Sequence, residues 1–153
     1  MAGMGIRQAG ASDLTELYEF YQRLGETPES GYFERCLEEQ TQGRRVLYLA
    51  EAEVALAGFV ILNFQPRYSL YRKLEIPEIQ DLNVLPEMRR QGIGTQMIAH
   101  CESVIRERGA DHAGISVGLT PSYGAAQRLY VRLGYMPDGN GVSYDRETVS
   151  SGQ

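Results

Sequence analysis

The sequence predicts an α+β fold, a mixed and mainly antiparallel central sheet of about six to seven strands flanked by helices. Three observations carry that expectation. Two β-prone apolar runs, 46–50 and 55–64, stand close enough together to form a hairpin. A strand-like run over 79–85 gives way to a helical period and then to a second run over 111–119, so these two strands should lie parallel with a helix between them. The chain then passes through turn chemistry, Tyr135-Met-Pro-Asp-Gly-Asn-Gly, into a last run at 142–146 that reads as a returning strand. At 153 residues the chain has the size of one domain, 1–153, which buries about 70% of its unfolded surface without staples.

Taken in order, residues 5–8 form a short first strand and Ala11-Ser-Asp13 offers a helix cap. Leu14, Leu17, Tyr18, Tyr21 and Leu24 recur at three-to-four spacing, which predicts a helix over 13–24 ended by Gly25. A second helix is expected from Pro28 to Gln42. It turns Tyr32, Phe33, Cys36 and Leu37 inward and Glu29, Glu34, Glu38 and Glu39 to solvent. In the hairpin after it, Gly58 marks a bulge or a close approach of backbone. Residues 65–77 read as a loop in which Tyr68 and Tyr71 are candidates to line a pocket. Further on, 122–133 reads as a helix with Ala126, Leu129, Tyr130 and Leu133 on one face, stopped by Gly134.

The stretch 78–108 organises the rest. Pro86 ends its strand because proline has no backbone donor. From Gly92 the period changes: Ile93, Met97, Cys101, Val104 and Ile105 fall on one helical face, Arg106 and Arg108 occupy the last turn, and Gly109 comes next. Between strand and helix sits Arg89-Arg90-Gln91-Gly92-Ile93-Gly94-Thr95. Two glycines one residue apart remove the Cβ atoms that would hold a ligand off the backbone, so N–H groups can converge on an anion at the helix N-terminus. That arrangement suits a phosphate, and Arg89 and Arg90 would add charge. It is not the dinucleotide fingerprint, since Met97 stands where the third glycine belongs. Nor is it a nucleotide-triphosphate loop, since the only lysine is Lys73. A plain tight turn and a diphosphate cradle of another kind are the readings that remain.

Composition narrows the partners. A formal charge of −5 argues against nucleic acid, and Arg89-Arg90 is a spot rather than a basic stripe. The N-terminus lacks the basic and apolar segments of a signal peptide, and no apolar run has the length of a membrane span, so a cytoplasmic protein is expected. Cys36 and Cys101 read as free packed thiols, and neither they nor His100 and His112 have metal-ligand spacing, so no metal is expected.

The stretch from Val84 to Thr95 resembles the Arg/Gln-x-x-Gly-x-Gly/Ala pyrophosphate signature of the GCN5-related N-acetyltransferases (GNAT), with Arg89, Gly92 and Gly94 at its defining positions. Ala125-Ala-Gln-Arg-Leu-Tyr-Val-Arg-Leu-Gly-Tyr135 is similar to that family's second signature, and the likeness covers roughly 45–147. The resemblance implies acetyl-CoA as cosubstrate, with the amides from Arg90 through Gln91, Gly92, Ile93 and Gly94 to Thr95 on its diphosphate. The pantetheine arm would run along Leu82, Asn83 and Val84, where a strand edge can pair with amides. The N–H of Val84 or its neighbour would polarise the thioester carbonyl.

An alkylammonium with a pKa of about 10.4 needs a base or a water chain to lose its proton at neutral pH. Glu78 is the first candidate, standing where histone-type members carry a glutamate base and sharing strand parity with Leu82 and Val84 if no bulge intervenes; Asp81 is the second. Tyr130 matches the family tyrosine that protonates the departing thiolate. Where many members have an asparagine that touches the pantetheine arm, this chain has Tyr123. The resemblance thus implies acetyl transfer from acetyl-CoA directly to a primary amine, small molecule or peptide. A CoA-binding sensor without catalysis is the alternative. The acceptor's identity stays open, as does a homodimer, a common arrangement in that family.

Overall fold

In the computed structural model, seven strands make one sheet: β1 (Met4–Gln8), β2 (Arg45–Ala52), β3 (Ala55–Asn63), β4 (Glu78–Val84), β5 (His112–Ile115), β6 (Met136–Pro137) and β7 (Val142–Asp145). Their spatial order is β1-β2-β3-β4-β5-β7-β6, with every neighbour antiparallel except β4 and β5. The structure describes residues 4–53, 55–65, 73, 76–89, 91–110, 112–115, 136–137 and 142–145. Arg90, Tyr68, Tyr71, Tyr123, Tyr130, the expected helix 122–133 and the end of the expected strand 111–119 lie outside the described residues. The α+β fold with a mixed sheet is as expected.

Alternation along the strands divides the core in two. Leu47 and Leu49 of β2 point to one face, where they join Phe59 and Ile61; Tyr48 and Ala50 point to the other, where they join Val60 and Leu62. Helices α1 (Leu14–Arg23) and α2 (Tyr32–Thr41) close the first face with Leu17, Phe20, Phe33 and Cys36. Helix α3 (Ile93–Glu107) closes the second with Ile93, Met97, Ile98, Cys101 and Ile105, on the period read from the sequence. None of the described helices is long and apolar enough to cross a membrane.

Three local departures from the sequence reading have physical reasons. α2 begins at Tyr32 rather than near Pro28 because Gly31, in the left-handed conformation at φ 76°, breaks the helical path before it. Asp13 precedes α1 but does not cap it with its side chain. Its carboxylate turns back instead, accepting from the Gly10 amide at 2.8 Å and from both Arg7 terminal nitrogens at 2.7 and 3.0 Å. The third departure decides the geometry of the site. Phe59 pairs with Asn83 and Ile61 with Gln80, so Asp81 and Leu82 together face the single residue Val60. This bulge reverses the strand's alternation, and Ile79 and Leu82, three apart, both enter the α3-side core. The expected shared parity of Glu78 with Leu82 and Val84 is therefore wrong: an intervening bulge puts the carboxylate on the opposite face.

Gly58 shows both features expected of it. Opposite Ala50, it adjoins a register shift between β2 and β3. It also takes the closest backbone approach, because a Cβ there would lie 2.6 Å from the Asn83 carbonyl oxygen and 2.9 Å from Met97 Cε. Gly58→Ala should cost about 1–3 kcal/mol in urea unfolding, as overpacked sites do. Gly5→Ala, whose Cβ meets nothing within 4 Å, should stay within about 0.5 kcal/mol of wild type.

The Arg7 guanidinium holds the Asp13 carboxyl below its usual pKa, so the pair stabilises the fold above the unfolded value of about 3.9 and stops doing so as pH falls through the lower folded value. Asp13→Asn should lose about 1 kcal/mol at pH 7, a modest figure because Arg7 is 44% exposed and screened. Denaturation curves against pH should show the wild-type advantage closing in acid.

Candidate active site

A strand, a turn and a helix are joined here by a segment that leaves backbone donors uncovered. After β4, Pro86 starts a 3-10 turn over Pro86–Met88 and Arg89 is extended, so the chain leaves the sheet before Gly92. Gly92 is left-handed at φ 82° and a Cβ on it would meet nothing within 4 Å, so the backbone path requires glycine and the space beside it is open. The first amide bonded inside α3 is that of Gln96, to the Gly92 carbonyl at 3.0 Å. The amides of Ile93, Gly94 and Thr95 thus begin the helix without intrahelical acceptors; among the described residues no side chain caps them, and no carboxylate lies in the first turn. Such a terminus carries a partial positive charge and suits an anion. The residues fit a diphosphate on that observation.

Arg89 uses one edge of its guanidinium inside the fold. Its Nε donates to the Val84 carbonyl at 3.1 Å, which ties the turn to the end of β4. That bond fixes the start of the connecting segment against the last residue of β4. β5 pairs with β4 at Glu78 and Ile79 among the described residues.

The opposite face of β4 carries the carboxylates. Glu78 is buried, and its Oε1 accepts from Gln80 Nε2 at 2.5 Å; Gln80 Oε1 in turn accepts from Asn63 Nδ2 at 3.4 Å. Asp81 sits at the bulge with φ 53°. Its Oδ2 accepts from the Tyr32 hydroxyl at 2.6 Å and its Oδ1 from Asn83 Nδ2 at 3.1 Å. Burial, and then the Asp81 charge, push the Tyr32 phenol far above its ordinary pKa, so it stays a neutral donor. Burial likewise raises the neighbouring Cys36 thiol to about 11, which leaves it protonated and inert.

Tyr32 is the residue that sequence reasoning misses. Its spacing places it on the packed face of α2, where its ring does pack edge-on to Phe33 at 5.1 Å and Tyr21 at 6.3 Å. A buried tyrosine needs a partner for its hydroxyl, and that requirement is the available signal. Gln80, which touches Glu78, carries no signal beyond its position two residues along the strand. Tyr123, Tyr130 and Arg90 lie outside the described residues.

The chain is similar in sequence and in fold to known N-acetyltransferases. An aminoalkylphosphonate N-acetyltransferase of Salmonella typhimurium is 38% identical over 89 residues, 58% of this chain and 54% of that protein, so the match spans about half the relative's length. An uncharacterized N-acetyltransferase of Archaeoglobus fulgidus is 28% identical over 83% of this chain and 89% of its own. In fold, the chain is similar to the PaiA N-acetyltransferase of Thermoplasma acidophilum, solved in complex with coenzyme A, with a TM-score of 0.68 and 18% identity over 94% of this chain and 99% of that one. A similar likeness holds to an N-acetyltransferase of Staphylococcus aureus Mu50, with a TM-score of 0.71 and 13% identity over the same shares. The profile of the acetyltransferase (GNAT) family matches residues 12–135, across both carboxylates of β4 and the glycine-opened helix, and the chain belongs to that family.

Proposed function

We propose that the protein transfers the acetyl group of acetyl-CoA directly to a primary amine. The observation that carries this reading is the uncapped start of α3, where three amides come after a left-handed glycine and a strand whose end is tied to the same turn. In this reading the amides from Gln91 to Thr95, with Arg90, hold the diphosphate, and the backbone of Leu82, Asn83 and Val84 holds the pantetheine arm. Tyr123 borders that arm in place of the family asparagine. Bound acetyl-CoA supplies an acetyl thioester activated toward amines. Glu78, kept in place by Gln80, accepts the ammonium proton directly or through water. Tyr130 returns a proton to the departing thiolate, a step suited to a phenol of pKa about 10 facing a thiol of about 8.5.

The acceptor is a primary amine, small molecule or peptide. The Salmonella relative makes aminoalkylphosphonates the first class to assay, ahead of amino acids, polyamines and peptide lysines.

Release of free thiol from acetyl-CoA across such a panel tests the activity whatever the acceptor. Turnover is expected with at least one class; CoA binding without turnover on any amine would instead favour a sensor. Glu78→Gln and Tyr130→Phe should each lower kcat by about 10²–10⁴, with CoA affinity by calorimetry unchanged. A variant that lost CoA binding in step with turnover would remove its residue from the proton-transfer roles.

A further inference from the structure

We infer that Asp81, gripped by Tyr32 and Asn83, is a positioning residue that holds the left-handed kink of β4 and so aims the Leu82–Val84 edge, rather than a proton acceptor. The inference rests on the acetyl-CoA reading of that edge.

A non-glycine residue at φ 53° is disfavoured, and in Asp it is held by local hydrogen bonds and packing. Asn83 Nδ2 binds both the Asp81 carbonyl oxygen and Oδ1 at 3.1 Å, which closes a local loop around the kink. From across the face, Tyr32 donates to Oδ2 at 2.6 Å, anchoring the same carboxylate to the first turn of α2. Each carboxylate oxygen is thus turned to a donor of the fold. Tyr32 keeps its proton because burial and the adjoining charge raise its pKa, so it remains the donor in this bond.

The kink has a direct consequence for the edge. It gives Asp81 and Leu82 one partner, Val60, and so sets Leu82 and Val84 toward α3. In an unbulged strand the register would slip by one residue, and every side chain and peptide group beyond the slip would turn to the opposite side. The groups available to an amide-bearing arm at 82–84 therefore depend on the kink, and the kink depends on the carboxylate.

Calorimetric titration of CoA into the wild type, Asp81→Ala, Asp81→Gly and Tyr32→Phe tests this. Glycine adopts the left-handed conformation freely, so Asp81→Gly should bind CoA several-fold more tightly than Asp81→Ala although both lack the carboxylate. Asp81→Ala should bind about tenfold more weakly than wild type, and Tyr32→Phe about threefold, with the pH dependence of turnover kept in Tyr32→Phe. Equal weakening in the alanine and glycine variants would overturn the inference. So would wild-type CoA affinity in Tyr32→Phe, which removes only a hydroxyl. A wild type that bound no CoA would be a different result, removing the acetyl-CoA reading itself and this inference with it.

Discussion

A single left-handed residue in the middle of the sheet sets the geometry on which the rest depends. Asp81 adds one residue to β4 against β3 and changes which face every later side chain meets. Before it, Ile79 packs under α3 and Glu78 turns to the helices α1 and α2; after it, Leu82 and Val84 turn under α3 and Asn83 comes back to Asp81. The bulge thereby lets one seven-residue strand present two buried apolar anchors on one side and its polar residues on the other. Gly58 completes the arrangement on the neighbouring strand, since any Cβ there would strike the carbonyl of Asn83. Close approach of β3 and the kink of β4 are one packing solution.

The segment beyond β4 is built from backbone rather than side chains. Amides at a helix start are fixed by the helix itself, so the proposed anion site at Ile93, Gly94 and Thr95 needs no side chain to be pre-organised, only the glycine that opens the path. Arg89 joins this segment to the strand through the Val84 carbonyl. The bond runs from Nε alone, so it ties the segment to the strand through one edge of the guanidinium.

The sequence makes some of this legible and hides the rest for reasons that can be named. The helical period from Ile93 to Ile105, the Gly92–Gly94 pair, the β2–β3 hairpin and the parallel pairing of β4 with β5 can be read because each rests on spacing along the chain. The start of α2 is misread because Gly31 sits within an otherwise acceptable helical pattern, and only its conformation shows the break. The bulge is visible in the sequence as a risk but not as a fact, since Glu-Ile-Gln-Asp-Leu-Asn-Val satisfies a regular strand as well as a kinked one. Tyr32 is hidden by distance: its partner Asp81 lies 49 residues away, and no local rule joins α2 to β4.

The division of labour across the sheet also constrains how the proposed reaction is approached. Peptide groups lie in the plane of the sheet, so an arm paired with the edge of β4 would lie in that plane, with α3 closing it from one side. The carboxylates of Glu78 and Asp81 stand on the other side, beneath α1 and α2, where Tyr18, Tyr21, Tyr32 and Phe33 form an edge-to-face aromatic group. An amine that gives its proton to Glu78 must therefore come from the helical face, past rings and acidic groups. Aromatic faces and carboxylates both favour a cation over an anion or a neutral molecule. The cofactor would be recognised by backbone common to the family, and the acceptor by side chains particular to this chain, which is why the signature residues speak for the first and say little about the second.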